Sequence, residues 1–144
     1  MILRIGSDYG GARGSNAVAA FVHAAVRGAP IEVWGSGART SQFTFVLDIV
    51  EGCVAALRSE GQVFNLVSPE ETSYAAVAAM LGGRFGVPIV HRDAPEPTPF
   101  PYISSRRAIR DLGWQITPLA EGLNFFVREV ERSELRNTPE QPES

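Results

Sequence analysis

The side chains of this sequence that could do chemistry are few, and they do not converge. His23 and His91 fall on a helical and a strand pattern, with no acid or serine spaced to work with them, which favours structural histidines. Cys53 stands alone on an apolar stretch, so it reads as a packing residue, and disulfide or zinc frameworks are excluded. All thirteen cations are arginines scattered along the chain, and there is no lysine. With a net charge of −3 the chain lacks the concentrated basic surface of a nucleic-acid binder. No nucleophile, metal or acid–base constellation emerges.

Two glycine clusters remain. Tyr9-Gly-Gly-Ala-Arg-Gly14 lies between a strand and a helix, where a glycine loop can cradle a pyrophosphate at a helix N-terminus. The dinucleotide fingerprint needs glycine where Tyr9 stands, and an acid closing the next strand where Trp34 and Gly35 stand. Gly35-Ser-Gly37 fails likewise, because its third glycine would be Thr40 and a strand follows in place of a helix.

The elements that would position these residues can be read in order. Ile2–Ile5 is a short strand, and Ser15 or Asn16 caps a helix over Ala17–Val26 that is apolar nearly all round and stops at Gly28. Ile31–Trp34 and Gln42–Val46 alternate as strands across the glycine turn. Asp48 is placed to cap a helix carrying Ile49, Val50, Cys53, Val54 and Leu57, with Gly61 as its stop. Gln62–Val67 is a further strand, and Thr72 or Ser73 caps a helix with Val77, Met80, Leu81 and Phe85 inward.

Ile89–His91 is another strand, after which Pro95, Pro97, Pro99 and Pro101 enforce an extended loop. Ser104 or Ser105 starts a short helix ended by Gly113. Thr117-Pro118 opens a last helix whose apolar face is Leu119, Leu123, Phe126, Val127 and Val130. Residues 1–136 then form one small mixed α/β domain of about four or five short strands and four helices, with a disordered tail at 137–144. No apolar run approaches the roughly eighteen residues of a membrane span, and no secretory leader is legible, so a cytoplasmic setting is expected.

The stretch from Trp34 to Gly52 resembles the substrate-domain signature of extended short-chain dehydrogenases that act on nucleotide sugars, the NAD-dependent epimerases and dehydratases. That signature runs Gly-Asp-Gly-x-x-x-Arg-Asp-Phe-x-x-Val-Asp-Asp-x-x-x-Gly, and Gly35, Gly37, Phe43, Val46, Asp48 and Gly52 match it. Leu3-Arg4 through Tyr9-Gly10, Val63-Phe-Asn-Leu66 with Glu71-Thr-Ser73, and Leu112-Gly-Trp114 resemble three further family motifs in the same order. The likeness covers about residues 1 to 130, and four weak motifs in order are together specific.

The resemblance implies a substrate domain without the family's nucleotide-binding half. That half carries the NAD loop and a Tyr-x-x-x-Lys pair whose lysine activates the tyrosine. A chain with no lysine cannot supply that pair, so this polypeptide alone is expected neither to bind NAD nor to catalyse. The resemblance also implies a nucleotide-sugar site. Trp34 occupies the place of an aromatic near the base and can stack on it, although core burial is the competing reading. The family's first phosphate arginine falls at Ser41, its acid at Gln42, and its second arginine at Tyr102, while Ser7 replaces an asparagine near the sugar.

Arg39 could reach across the turn in place of the lost arginine, or lie solvated at the surface. Arg106 and Arg107 could meet a diphosphate at the start of their helix, and Asn16 could bond ligand or serve as a cap.

Two function classes follow. One is a non-catalytic nucleotide-sugar-binding module, completed by a separate subunit carrying the missing half. The other is a structural or interaction protein with a degraded sugar site. A piece of a longer epimerase or dehydratase would look the same. Ile2–Ile5 and the first helix, which the family covers with its other half, are expected to drive self-association, with Phe21 as the anchor.

Overall fold

The computed structural model describes residues 1–11 and 14–137. In chain order, β1 (Ile2–Ile5) and β2 (Asp8–Tyr9) lead through Gly10 and Gly11 to α1 (Ala17–Val26) and β3 (Ile31–Trp34). Two short strands, β4 (Thr40–Ser41) and β5 (Thr44–Phe45), precede α2 (Val46–Ala56). Then come β6 (Val63–Leu66), β7 (Thr72–Ser73), α3 (Tyr74–Phe85) and β8 (Ile89–Arg92). The chain closes with α4 (Arg106–Leu112) and α5 (Leu119–Asn137). The mixed α/β class is as expected, but the described residues hold five helices rather than four, and eight strand segments rather than four or five. The expected tail lies, apart from Asn137, outside the described residues.

The strands form four separate pairs. β1 runs parallel to β6 with Ile2 opposite Val63, β2 parallel to β5, and β3 parallel to β8 with Ile31 opposite Ile89, while β4 and β7 are antiparallel. Two cores result. The larger joins Tyr9, Phe21, Ile31, Leu81, Phe126 and Val130 from β2, α1, β3, α3 and α5. The smaller sets Ile49, Phe64, Leu66, Ala108 and Trp114 between the β1–β6 pair, α2 and α4.

Three expectations need correction. The apolar α1 is covered by α3, α5 and β3, so Phe21 is only 4 % exposed and cannot anchor an interface. The strand foreseen over Gln42–Val46 shrinks to Thr44–Phe45, because Gln42 turns its side chain onto other segments and the helix begins at Val46. Asp48 sits inside α2 and does not cap it; its carboxylate accepts from the N–H and hydroxyl of Thr117, both at 2.7 Å.

The outward face of α2 is apolar as well. Ile49 and Ala56 are buried and Cys53 is half-buried, whereas Val50, Val54 and Leu57 are exposed. Met80 on α3, expected inward, is exposed too. No helix among the described residues is long and apolar enough to cross a membrane.

Candidate functional site

Strand alternation sends Ile31 and Val33 into the core and leaves Glu32 and Trp34 outside, with the indole 68 % exposed. Trp34 is therefore not a core residue. The chain then turns through Gly35 and Gly37, at φ +70° and +73°. A side chain at Gly37 would meet Val33 Cγ1 at 2.7 Å, so glycine is required there for space as well as for its φ.

That turn lies against the start of α3, where Ala75 N–H donates to Gly37 O at 2.9 Å and Tyr74 N–H to Arg39 O at 3.2 Å. The contact brings Tyr74 beneath Arg39. The Arg39 guanidinium carbon stands 5.2 Å from the Tyr74 ring centroid and 4.3 Å from that of Phe100, on the proline loop. Its Nε is buried and has no hydrogen-bond partner. Arg39 is thus half-buried between two rings and is not a freely solvated surface arginine.

The proline loop closes the far side. Glu96 Oε1 accepts from Ser36 N–H at 2.7 Å, and these bonds from Ser36 hold the carboxyl below the usual carboxylate range. Trp34, Arg39, Tyr74, Pro95, Glu96 and Pro97 then line a pocket of about 330 Å³ floored by Phe21 and Val33.

The position of the proline loop depends on Gln42. Its Nε2 donates to Ser68 O at 2.7 Å and to Ile103 O at 2.9 Å, while its Oε1 accepts from Ile103 N–H at 2.8 Å. A carboxylate at this place could only accept, so it is the amide of glutamine that lets the side chain satisfy two carbonyls. Neither the Gln42 bonds nor the ring pair around Arg39 has a local sequence signal, because the partners lie up to 61 residues away. Trp34 was the exception, since its outward direction follows from the alternation of β3.

The other sequence-derived candidates do not converge on this pocket. Asn16 caps α1 by accepting from Ala19 N–H at 3.0 Å and donates to Asp8 O at 2.8 Å, which uses both ends of its amide. It shares a neighbouring hollow with Trp34. Ser41 is buried and its hydroxyl bonds that of Ser7 at 2.6 Å. Arg106 and Arg107 are exposed at the start of α4, which packs on β6 and α2, and neither lines the Trp34–Arg39 pocket. His91 Nδ1 donates to Gly35 O at 2.9 Å, and His23 sits beside Glu134 of α5, so both histidines have structural neighbours.

The described residues do not form the strand–helix–strand unit of a dinucleotide site. The cofactor motif needs strand, helix and strand to lie parallel within one sheet. Here the strand before α1 pairs with β5 and the strand after it pairs with β8, so they belong to different sheets. The acid of β3, Glu32, is spent on an ion pair with Arg92. No group of three or more potential metal ligands exists among the described residues.

Comparison with known proteins agrees with this architecture. Residues 1–67 match the sequence model of the NAD dependent epimerase/dehydratase family. UDP-glucuronic acid decarboxylase 1 of Xenopus tropicalis is 34 % identical over 126 residues, covering 79 % of this chain and 29 % of that protein. An epimerase of Methanothermobacter thermautotrophicus superposes with a TM-score of 0.81 at 26 % identity, over 94 % of this chain and 45 % of its own. The Bacillus cereus UDP-glucuronic acid 4-epimerase, solved with UDP-glucuronic acid and NAD, shares the fold at TM-score 0.79 and 24 % identity, over 92 % of this chain and 45 % of its own. The chain spans less than half the length of each.

Proposed function

The chain belongs to the NAD dependent epimerase/dehydratase family, and from that membership we propose that these residues are a nucleotide-sugar-binding module, non-catalytic on their own and working with a nucleotide-binding half. The observation that carries this reading is the joint placement of Trp34 and Arg39 on one pocket, an open stacking surface beside a cation held by two rings. The absence of lysine supports the non-catalytic part, because the family's tyrosine activator has no counterpart in these residues.

Calorimetry tests the reading directly. Uridine and thymidine diphosphates are expected to bind the purified chain, Arg39→Ala to weaken that binding, and Arg107→Ala to leave it unchanged. A micromolar affinity for NAD, or diphosphate binding indifferent to Arg39, would overturn it.

A second reading, an interaction protein, rests on a different surface. Val50, Val54 and Leu57 form an exposed apolar stripe along α2 and its C-cap, and among the described residues β1 pairs with a strand on one edge only. Parallel strands are found almost exclusively in covered sheets, so this face fits an α/β partner or a second copy of the chain. Sedimentation equilibrium distinguishes the two: a monomer at tens of micromolar, unaltered by Leu57→Ser, removes self-association.

A further inference from the structure

Resting on the nucleotide-site reading above, we propose that the Trp34–Arg39 pocket derives its affinity from the nucleoside and almost none from a diphosphate. Its ligand class is then a heteroaromatic nucleoside, neutral or carrying one negative charge.

The charge lining the pocket argues this first. Among the described residues that line it, Arg39 is the single cation and Glu96 the single anion, and the rest of the wall is largely aromatic, proline and aliphatic carbon. Glu96 is a carboxylate at neutral pH, and the bond it accepts from Ser36 N–H holds its pKa below the usual carboxylate range. The two charges offset one another, so a diphosphate entering the pocket meets attraction at Arg39 and repulsion at Glu96. Tyr74 and Phe100 flank the Arg39 guanidinium, so the one cation of the wall is held in place between two rings.

The polar side chains of the neighbouring segments are neutral and have partners of their own. Ser41 is buried against Ser7, and Gln42 is committed to Ser68 and Ile103. Tyr102 directs its hydroxyl at Pro69 O, 3.4 Å away. Arg106 and Arg107 lie on α4, outside the lining. What stays open is the indole of Trp34, a sequence-tolerant platform for any base. A pocket of about 330 Å³ is at the small end of ligand sites, in keeping with a nucleoside.

The test is calorimetry on the full chain with uridine, uridine monophosphate, uridine diphosphate and UDP-glucose at one ionic strength. The four affinities are expected to agree within about threefold, and Trp34→Ala to weaken all four about tenfold or more. Arg39→Ala should weaken the monophosphate by more than it weakens uridine. Glu96→Gln should strengthen the diphosphate about fivefold relative to uridine. A wild-type preference of about thirtyfold or more for the diphosphate over uridine overturns this inference and leaves the nucleotide site standing. Failure of all four ligands to bind overturns both.

Discussion

Gln42 and Ile103 exchange a reciprocal pair of hydrogen bonds, side-chain amide to backbone, in the pattern by which two strands pair. The pair lies at the junction of the β4–β5 turn and the proline loop, and a third bond to Ser68 adds the segment after β6. Gln42→Glu would set a carboxylate against two carbonyl oxygens, and the expected loss is about 2–4 kcal/mol at pH 7. Burial against two carbonyl oxygens raises the folded pKa of the introduced carboxyl, and its protonation restores one donor, so the loss should shrink as pH falls toward 4. Urea unfolding at both pH values checks the magnitude and the sign.

Tyr9 is fully buried, and its hydroxyl lies where a side chain on Gly122 would begin, 1.9 Å from an added Cβ. Gly122→Ala is therefore expected to cost about 2–4 kcal/mol by overpacking. Tyr9→Phe removes a buried hydroxyl that has no partner, so by itself it should be neutral or stabilising. The double variant should recover part of the alanine loss, because Cζ of the ring would still stand 2.8 Å from the new carbon. A double-mutant cycle by thermal unfolding measures the coupling.

Burial, helped by the charges of Asp48 and Glu121, holds the Tyr9 phenol well above its ordinary value. The folded state thus keeps a proton that the unfolded chain releases above about pH 10. This contribution is fully present below that pH and is lost as pH rises beyond it. Wild type should lose stability between pH 10 and 11 faster than Tyr9→Phe does; equal slopes would show that other tyrosines account for the loss.

Phe21 and Leu57 should respond to substitution in opposite ways. Phe21→Ala, in the larger core, is expected to cost about 3–5 kcal/mol. Leu57→Ser, at 73 % exposure, should stay within about 0.5 kcal/mol in the monomer. Chemical denaturation of both variants decides which helix carries the open face.

Much of the fold was legible because its signals are local. Asn16 and Ser73 cap the helices that follow them, and Gly86 and Gly113 take positive φ where the helical pattern stops. The family likeness read from Gly35, Gly37, Phe43 and Gly52 is matched by the comparisons. What the sequence did not disclose depends on distant partners. Asp48 has the chemistry of a helix cap, but Thr117, 69 residues on, takes its carboxylate. The α1 sequence looks uncovered until α3 and α5 fold over it. Of the candidate site, the alternation of β3 held the signal for an outward Trp34, yet the sequence left core burial as its competitor, and the rings around Arg39 and the isolation of Arg106 and Arg107 are tertiary facts.

The strand pairings also constrain how the chain reaches this state. Both β1 with β6 and β3 with β8 join segments about sixty residues apart, and each pair lies beside one of the two cores. Neither pair can register until most of the intervening chain has been brought round, so loop-closure entropy precedes the contacts that offset it. The helices between them can form on their own within microseconds. On topology, folding is expected to be limited by these two distant pairings, and neither of them covers the apolar stripe of α2, which is exposed in the folded chain.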